Sequence, residues 1–181
     1  MNTPNKLTTA RMCMVPLLVL FMLTGLGGAA NRWICLVIFC VASITDWLDG
    51  YIARKDHLVT NYGKLMDPLA DKLLVCSALV CLTANGKLTA WVVVIIIARE
   101  FIISGIRLIA AEQKNVIAAN MWGKAKTVVQ MIMIIVLLLD VPALHWLAVI
   151  LEILAVVLTL ISLGVYIMDN MYVLMMDEEK Q

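Results

Sequence analysis

Apolar residues run along this chain in long blocks, broken by short polar or glycine-bearing segments. The first block covers about residues 8–27 and ends at GLGG; the second, about 31–54, runs from NRWICLVIF to ARK. The third, about 60–84, opens at Thr60, a residue suited to an N-cap, and closes at ANGK. The fourth covers about 88–112, the fifth 122–139 and the sixth 143–172, with Pro142 between the last two and a polar tail, MMDEEKQ, after them. A spanning helix needs roughly 20 apolar residues. The pattern therefore predicts an all-α polytopic membrane protein, a bundle of six transmembrane helices with short loops. No repeat is evident, and a single domain over residues 1–181 accommodates the whole pattern.

Composition agrees: 63% of residues are hydrophobic and 15% charged, with a mean hydropathy of +0.96. This balance excludes a soluble domain and a disordered chain. The 5 cysteines lie in apolar runs without a CxxC spacing and are expected to be small buried hydrophobes. Lys6 and Arg11 precede an apolar run ending in GLGGAA, which imitates a signal peptide. The run is too long for a signal core and further spans follow, so a retained first helix is expected. Of the 14 basic residues, all but Arg32 and Lys87 fall toward one side if the N-terminus is cytoplasmic. The positive-inside rule then predicts both termini in the cytoplasm.

The stretch ITDWLDGYIARKDHLVTNYGKLMDPLADKLLV, residues 44–75, puts Asp46, Asp49, Asp67 and Asp71 into two adjoining predicted helices. Each pair, at i,i+3 and i,i+4, shares a helical face. Antiparallel helices joined by a short turn bring the pairs to similar depth. A single Asp at a membrane helix centre costs about 2.5–3.5 kcal/mol, so four converging carboxylates need compensation. Lys64 and Lys72 supply one or two ion pairs at most. Hard divalent cations take oxygen ligands, and two of them balance four carboxylates while still holding a diphosphate. Gly50, Ala53 and Gly63 stand where bulky side chains would fill the gap between the stripes; helix packing is the simpler reading of the same residues. Thr60, at a helix start, also suits an anionic ligand.

Together these residues read Asp46-x2-Asp49-Gly50-x2-Ala53-Arg54-x8-Gly63-x3-Asp67-x3-Asp71, which resembles the signature of the CDP-alcohol phosphotransferases. The resemblance implies a six-helix membrane bundle, a homodimer, two Mg²⁺ or Mn²⁺ ions and a cavity facing the cytoplasm. It implies transfer of a phosphatidyl group from a CDP-linked lipid to an alcohol, with release of CMP. Asp46, Asp49, Asp67 and Asp71 would be metal ligands, and Asp71 would also accept the proton of the attacking hydroxyl. Gly50, Ala53, Arg54 and Gly63 would lie along the CDP-lipid. PNKLTTAR resembles a second family element, placing Asn5 and Thr8 near the CDP end with Thr60 as a weaker candidate; capping of the first helix is the plain alternative for Asn5 and Thr8.

AREFIISGIR and GKAKTVVQ, residues 98–107 and 123–130, narrow the acceptor. Arg99 and Arg107 lie about 80° apart on one helix, and Lys124 and Lys126 begin the next. Such a cluster suits a phosphorylated acceptor, with ordinary loop charge as the alternative. These stretches resemble the branch of the family that uses sn-glycerol 3-phosphate with CDP-diacylglycerol in the bacterial cytoplasmic membrane. Phosphatidylglycerol, serine or an inositol phosphate are the other acceptors to weigh. A membrane prenyltransferase would need a second aspartate-rich motif in the far half, which is missing. A cation transporter would need acids near the midplane rather than toward one face.

Overall fold

A computed structural model describes residues 3–55, 61–112 and 120–175. Among them the chain forms six α-helices and no strand: α1 (Thr3–Thr24), α2 (Asn31–Lys55), α3 (Asn61–Ala84), α4 (Ala90–Glu112), α5 (Met121–Leu139) and α6 (His145–Met175). Short 3-10 turns at Gly28–Ala30 and Pro142–Leu144 precede α2 and α6. All six predicted blocks become helices. The first stops at Thr24, earlier than expected, because Gly25 takes a left-handed φ of 65° and donates its amide to the Phe21 carbonyl at 3.1 Å.

Contacts divide the chain into two compact units, Met1–Thr89 with Ile134–Pro142, and Ala90–Met133 with Ala143–Gln181. In the first unit α1 packs along both α2 and α3, which touch each other over a much shorter stretch. Among the described residues α1 thus lies against both neighbours. Its buried stripe is Thr8, Arg11, Val15, Leu18 and Met22, a spacing of three and four that keeps one face inward. The buried stripe of α2 is Cys35, Phe39 and Ala42, and that of α3 is Ala70, Leu74, Ala78 and Cys81. Fully buried Ala42, Ala70 and Ala78 permit close backbone approach, which is how membrane helices gain packing without a hydrophobic drive from water.

In the second unit α4 packs on α6. The inward stripe of α4 is Val92, Ile96, Arg99, Ile103, Ile106 and Ala110; that of α6 is Ala148, Leu151, Ala155, Thr159, Ser162, Tyr166 and Asn170. Ile103, Ile106 and Tyr166 form a cluster covered by Leu163 and Ile167. Asn170 leaves helical geometry (φ −123°, ψ 19°), and its side-chain amide donates to the Tyr166 carbonyl at 2.8 Å.

Among the described residues four stretches are long and apolar enough to cross a membrane: Lys6–Thr24, Gly28–Asp46, Met121–Leu139 and Pro142–Met171. The apolar parts of α3 and α4 carry Asp67, Asp71 and Lys72, and Arg99, Glu100 and Arg107, the charges that set these helices apart. Leu20, Leu23, Val37, Ile44, Ile153 and Leu160 point outward; exposed apolar residues in such numbers fit a lipid environment rather than water. Cysteines do not all behave as buried hydrophobes: Cys35 and Cys81 are buried, but Cys13 lies on an exposed face.

Candidate active site

The chemistry lies where the apolar stripes end. On α2 the stripe Cys35, Phe39, Ala42 continues at the same spacing into Asp46, and on α3 the stripe begins at Asp67, three residues before Ala70. On α1 it begins with Thr8 and Arg11. The helices alternate in direction, so these polar ends share one end of the unit.

The fully buried Arg11 guanidinium donates through Nη1 to Asp46 Oδ1, and the two form an ion pair whose carboxylate side chain keeps 38% exposure. The buried Thr8 hydroxyl donates to Asp67 Oδ1 at 2.5 Å. One helix thus steadies an acid on each of its two neighbours, using residues one turn apart. Asp46 and Asp67 are close enough for their negative charges to interact. Asp71, partly buried, is one turn beyond Asp67 on α3. Pro68 follows Asp67 directly and withholds a backbone donor, loosening the helix at that level.

Asn5, Asp49, Gly50, Ala53, Arg54 and Gly63 are described only as positions on their helices, and Thr60 lies outside the described residues. Among the described residues no three acidic, His or Cys side chains are gathered into a ready cation site. Of the expected aspartate set, Asp46 and Asp67 come together, while Asp71 lies one turn further along α3 and is not gathered with them as a third ligand. For Asp46 the basic partner is Arg11 of α1, which was not among the cations weighed as compensation. Its register with Val15, Leu18 and Met22 was the available signal, since an arginine on a buried stripe requires an acid opposite it.

A second polar cluster belongs to the other unit. Arg99, 7% exposed, donates through Nη1 to Glu100 Oε1 at 3.0 Å and through Nη2 to Ser162 Oγ at 2.5 Å. Lys126, nearly fully buried, reaches the same Glu100 Oε1 at 2.5 Å. Glu100 therefore pairs with a neighbouring helix. Asn120 caps α5, its Oδ1 accepting from the Gly123 amide at 2.8 Å. A side chain at Gly123 would come within 3.0 Å of Asn120 Oδ1 and 3.1 Å of Arg99 Nη2, so glycine lets the start of α5 close over that arginine. Exposed Arg107 lies over the Tyr166 ring at 5.6 Å and donates through Nε to the Tyr166 hydroxyl at 3.3 Å. Lys124 is exposed in the first turn of α5. Of the four expected acceptor-phosphate residues, Arg99 and Lys126 share Glu100, whereas Arg107 and Lys124 reach the surface. Tyr166 and Ser162, which orient two of these cations, were not foreseen; their spacing along the inward stripe of α6 is their only trace in sequence.

The comparisons with known proteins agree with the motif. A family model described as CDP-alcohol phosphatidyltransferase matches residues 1–161. The chain is 44% identical to the CDP-diacylglycerol–glycerol-3-phosphate 3-phosphatidyltransferase of Bacillus subtilis, over 76% of this chain and 77% of the relative. It is 40% identical to the Rickettsia typhi protein of the same name, over 76% of each. A Mycobacterium tuberculosis protein named as a probable phosphatidylglycerophosphate synthase is 40% identical over 89% of this chain and 78% of its own. The chain belongs to the CDP-alcohol phosphatidyltransferase family.

Proposed function

We propose that the chain transfers the phosphatidyl group of CDP-diacylglycerol to sn-glycerol 3-phosphate, giving phosphatidylglycerophosphate and CMP in phospholipid biosynthesis. The observation that carries this reading is the 40–44% identity to relatives named for that reaction, over three quarters or more of both chains.

Asp46, Asp49, Asp67 and Asp71 offer hard oxygen donors, and the two oriented by α1 use only Oδ1 for those contacts. That donor chemistry fits Mg²⁺ or Mn²⁺, and these four residues would hold two ions. When bound, the ions supply charge stabilisation to the diphosphate and to the departing CMP. Arg11 and Thr8 fix the direction of Asp46 and Asp67, as supporting hydrogen bonds do around metal ligands. Asn5, Thr8, Gly50, Ala53, Arg54, Thr60 and Gly63 would contact the CDP-lipid, as the family motif implies. Asp71 takes the proton of the acceptor's primary hydroxyl as its oxygen attacks the β-phosphorus. The bond from that phosphorus to the CMP oxygen breaks, and CMP leaves with its electron pair.

The acceptor phosphate is bound by Arg107 and Lys124, with Arg99 and Lys126 adding positive charge behind them. Tyr166 keeps the Arg107 guanidinium oriented. An acceptor without a phosphate would have no use for the exposed cations Arg107 and Lys124. The chain acts as one catalytic domain in a homodimer in the bacterial cytoplasmic membrane, with six spans and both termini and the active site on the cytoplasmic side. The test is CMP release by purified protein given CDP-diacylglycerol and, in parallel, glycerol 3-phosphate, serine, inositol phosphate or phosphatidylglycerol. Release with glycerol 3-phosphate alone is expected; release with another acceptor and none with glycerol 3-phosphate would overturn the assignment.

A further inference from the structure

Arg32 and Lys87, the two basic residues that charge distribution separates from all the others, line the same cavity. It has a volume of about 460 Å³ and lies within the first unit, bordered by the start of α2, the end of α3 and the end of α5. Arg32 and Asp46 are fourteen residues apart on α2, roughly 21 Å along the axis, so this cavity is separate from the aspartate site. Met22, Leu82 and Leu138 give it an apolar wall, while Asn31 and Asn85 add polar groups beside the two cations.

Two further features place the cavity at the level of lipid headgroups. The Arg32 guanidinium lies 5.5 Å over the ring of Trp33, which is half exposed; tryptophan concentrates at the membrane–water boundary. Lys87 Nζ is held 2.9 Å from Asp140 Oδ2 at the rim. Arg32, Lys87 and Asp140 sum to a single positive charge, the complement of one phosphodiester. Cations at a rim above an apolar wall match a phosphate that carries acyl chains.

We propose that this cavity binds a phosphate group, that of an anionic phospholipid headgroup in the leaflet away from the aspartates. Arg32 and Lys87 hold the phosphate oxygens, and Asp140 competes for Lys87 and sets the net charge. The site does not depend on the transfer reaction.

The test uses the full chain, delipidated and reconstituted with mixtures of phosphatidylglycerol and phosphatidylcholine, with retained lipid counted by native mass spectrometry. Phosphatidylglycerol retention is expected to fall by about tenfold or more in the double variant R32Q/K87Q, given the attraction of each basic residue for anionic lipid. Asp140→Asn is expected to raise retention. Position 140 has a left-handed φ of 51°, which asparagine adopts readily, so this change removes charge without disturbing the turn. A repeat with millimolar inorganic phosphate separates the sources: displacement identifies free phosphate as the occupant, resistance identifies lipid. Equal retention by wild type and both variants would overturn the proposal. If the double variant does not fold, an unchanged Asp140→Asn result suffices to do so.

Discussion

Replacing Arg11 with methionine tests the link between α1 and the aspartates. The guanidinium is fully buried and paired with Asp46, whose side chain is 38% exposed. Removing one partner of a buried pair costs about 3–5 kcal/mol, because the other charge is stranded. Partial access of Asp46 to water puts the expected loss near the lower end, about 3 kcal/mol. At about 2–4 °C per kcal/mol for a chain of this size, the unfolding midpoint should fall by roughly 6–12 °C. The assay is thermal unfolding of the detergent-solubilised protein followed by gel filtration, on Arg11→Met, Asp46→Asn and the double variant. The double variant should recover at least half of the Arg11→Met loss, since no stranded carboxylate remains. A drop below about 2 °C, or strictly additive losses, would show that the pair does not couple the helices.

Asp71→Asn should reduce turnover by about 100-fold or more, the usual contribution of a positioned base, while CDP-diacylglycerol binding measured by retention on the protein persists. Thr8→Val deletes the bond to Asp67 and should cost about 1.5–3 kcal/mol of stability, typical for a hydrogen bond to a charged group, with Thr8→Ser restoring it; equal midpoints for Val and Ser would contradict this. Gly123→Ala forces the start of α5 away from Arg99 and should cost about 1–3 kcal/mol of stability and raise the KM for glycerol 3-phosphate more than it lowers kcat. An unchanged KM and midpoint would show that the close approach is incidental.

The helices were legible because each is an apolar run ended by a recognisable breaker, and a membrane span tolerates little else. The aspartates were legible because carboxylates are costly in such runs and their spacing matches a specific motif. What escaped was how the first helix meets the aspartates. Arg11 and Asp46 are 35 residues apart, and Thr8 and Asp67 are 59 apart, so neither contact follows from local spacing. The register of Arg11 with Val15 and Leu18 showed that it faces inward, not which acid it meets. The same limit applied to Lys126, whose buried contact with Glu100, 26 residues away, no local spacing shows. A basic residue near a helix start has the same sequence appearance whether it meets a ligand or a buried acid; only the neighbouring helix decides.

The most direct test is CMP release from CDP-diacylglycerol and glycerol 3-phosphate by purified protein stripped of divalent cations, before and after Mg²⁺ is returned. Release should be absent without the cation and restored with it, and Asp67→Asn should abolish the restoration. Undiminished release from the stripped protein would contradict a role for the α2 and α3 carboxylates in holding metal ions at the diphosphate.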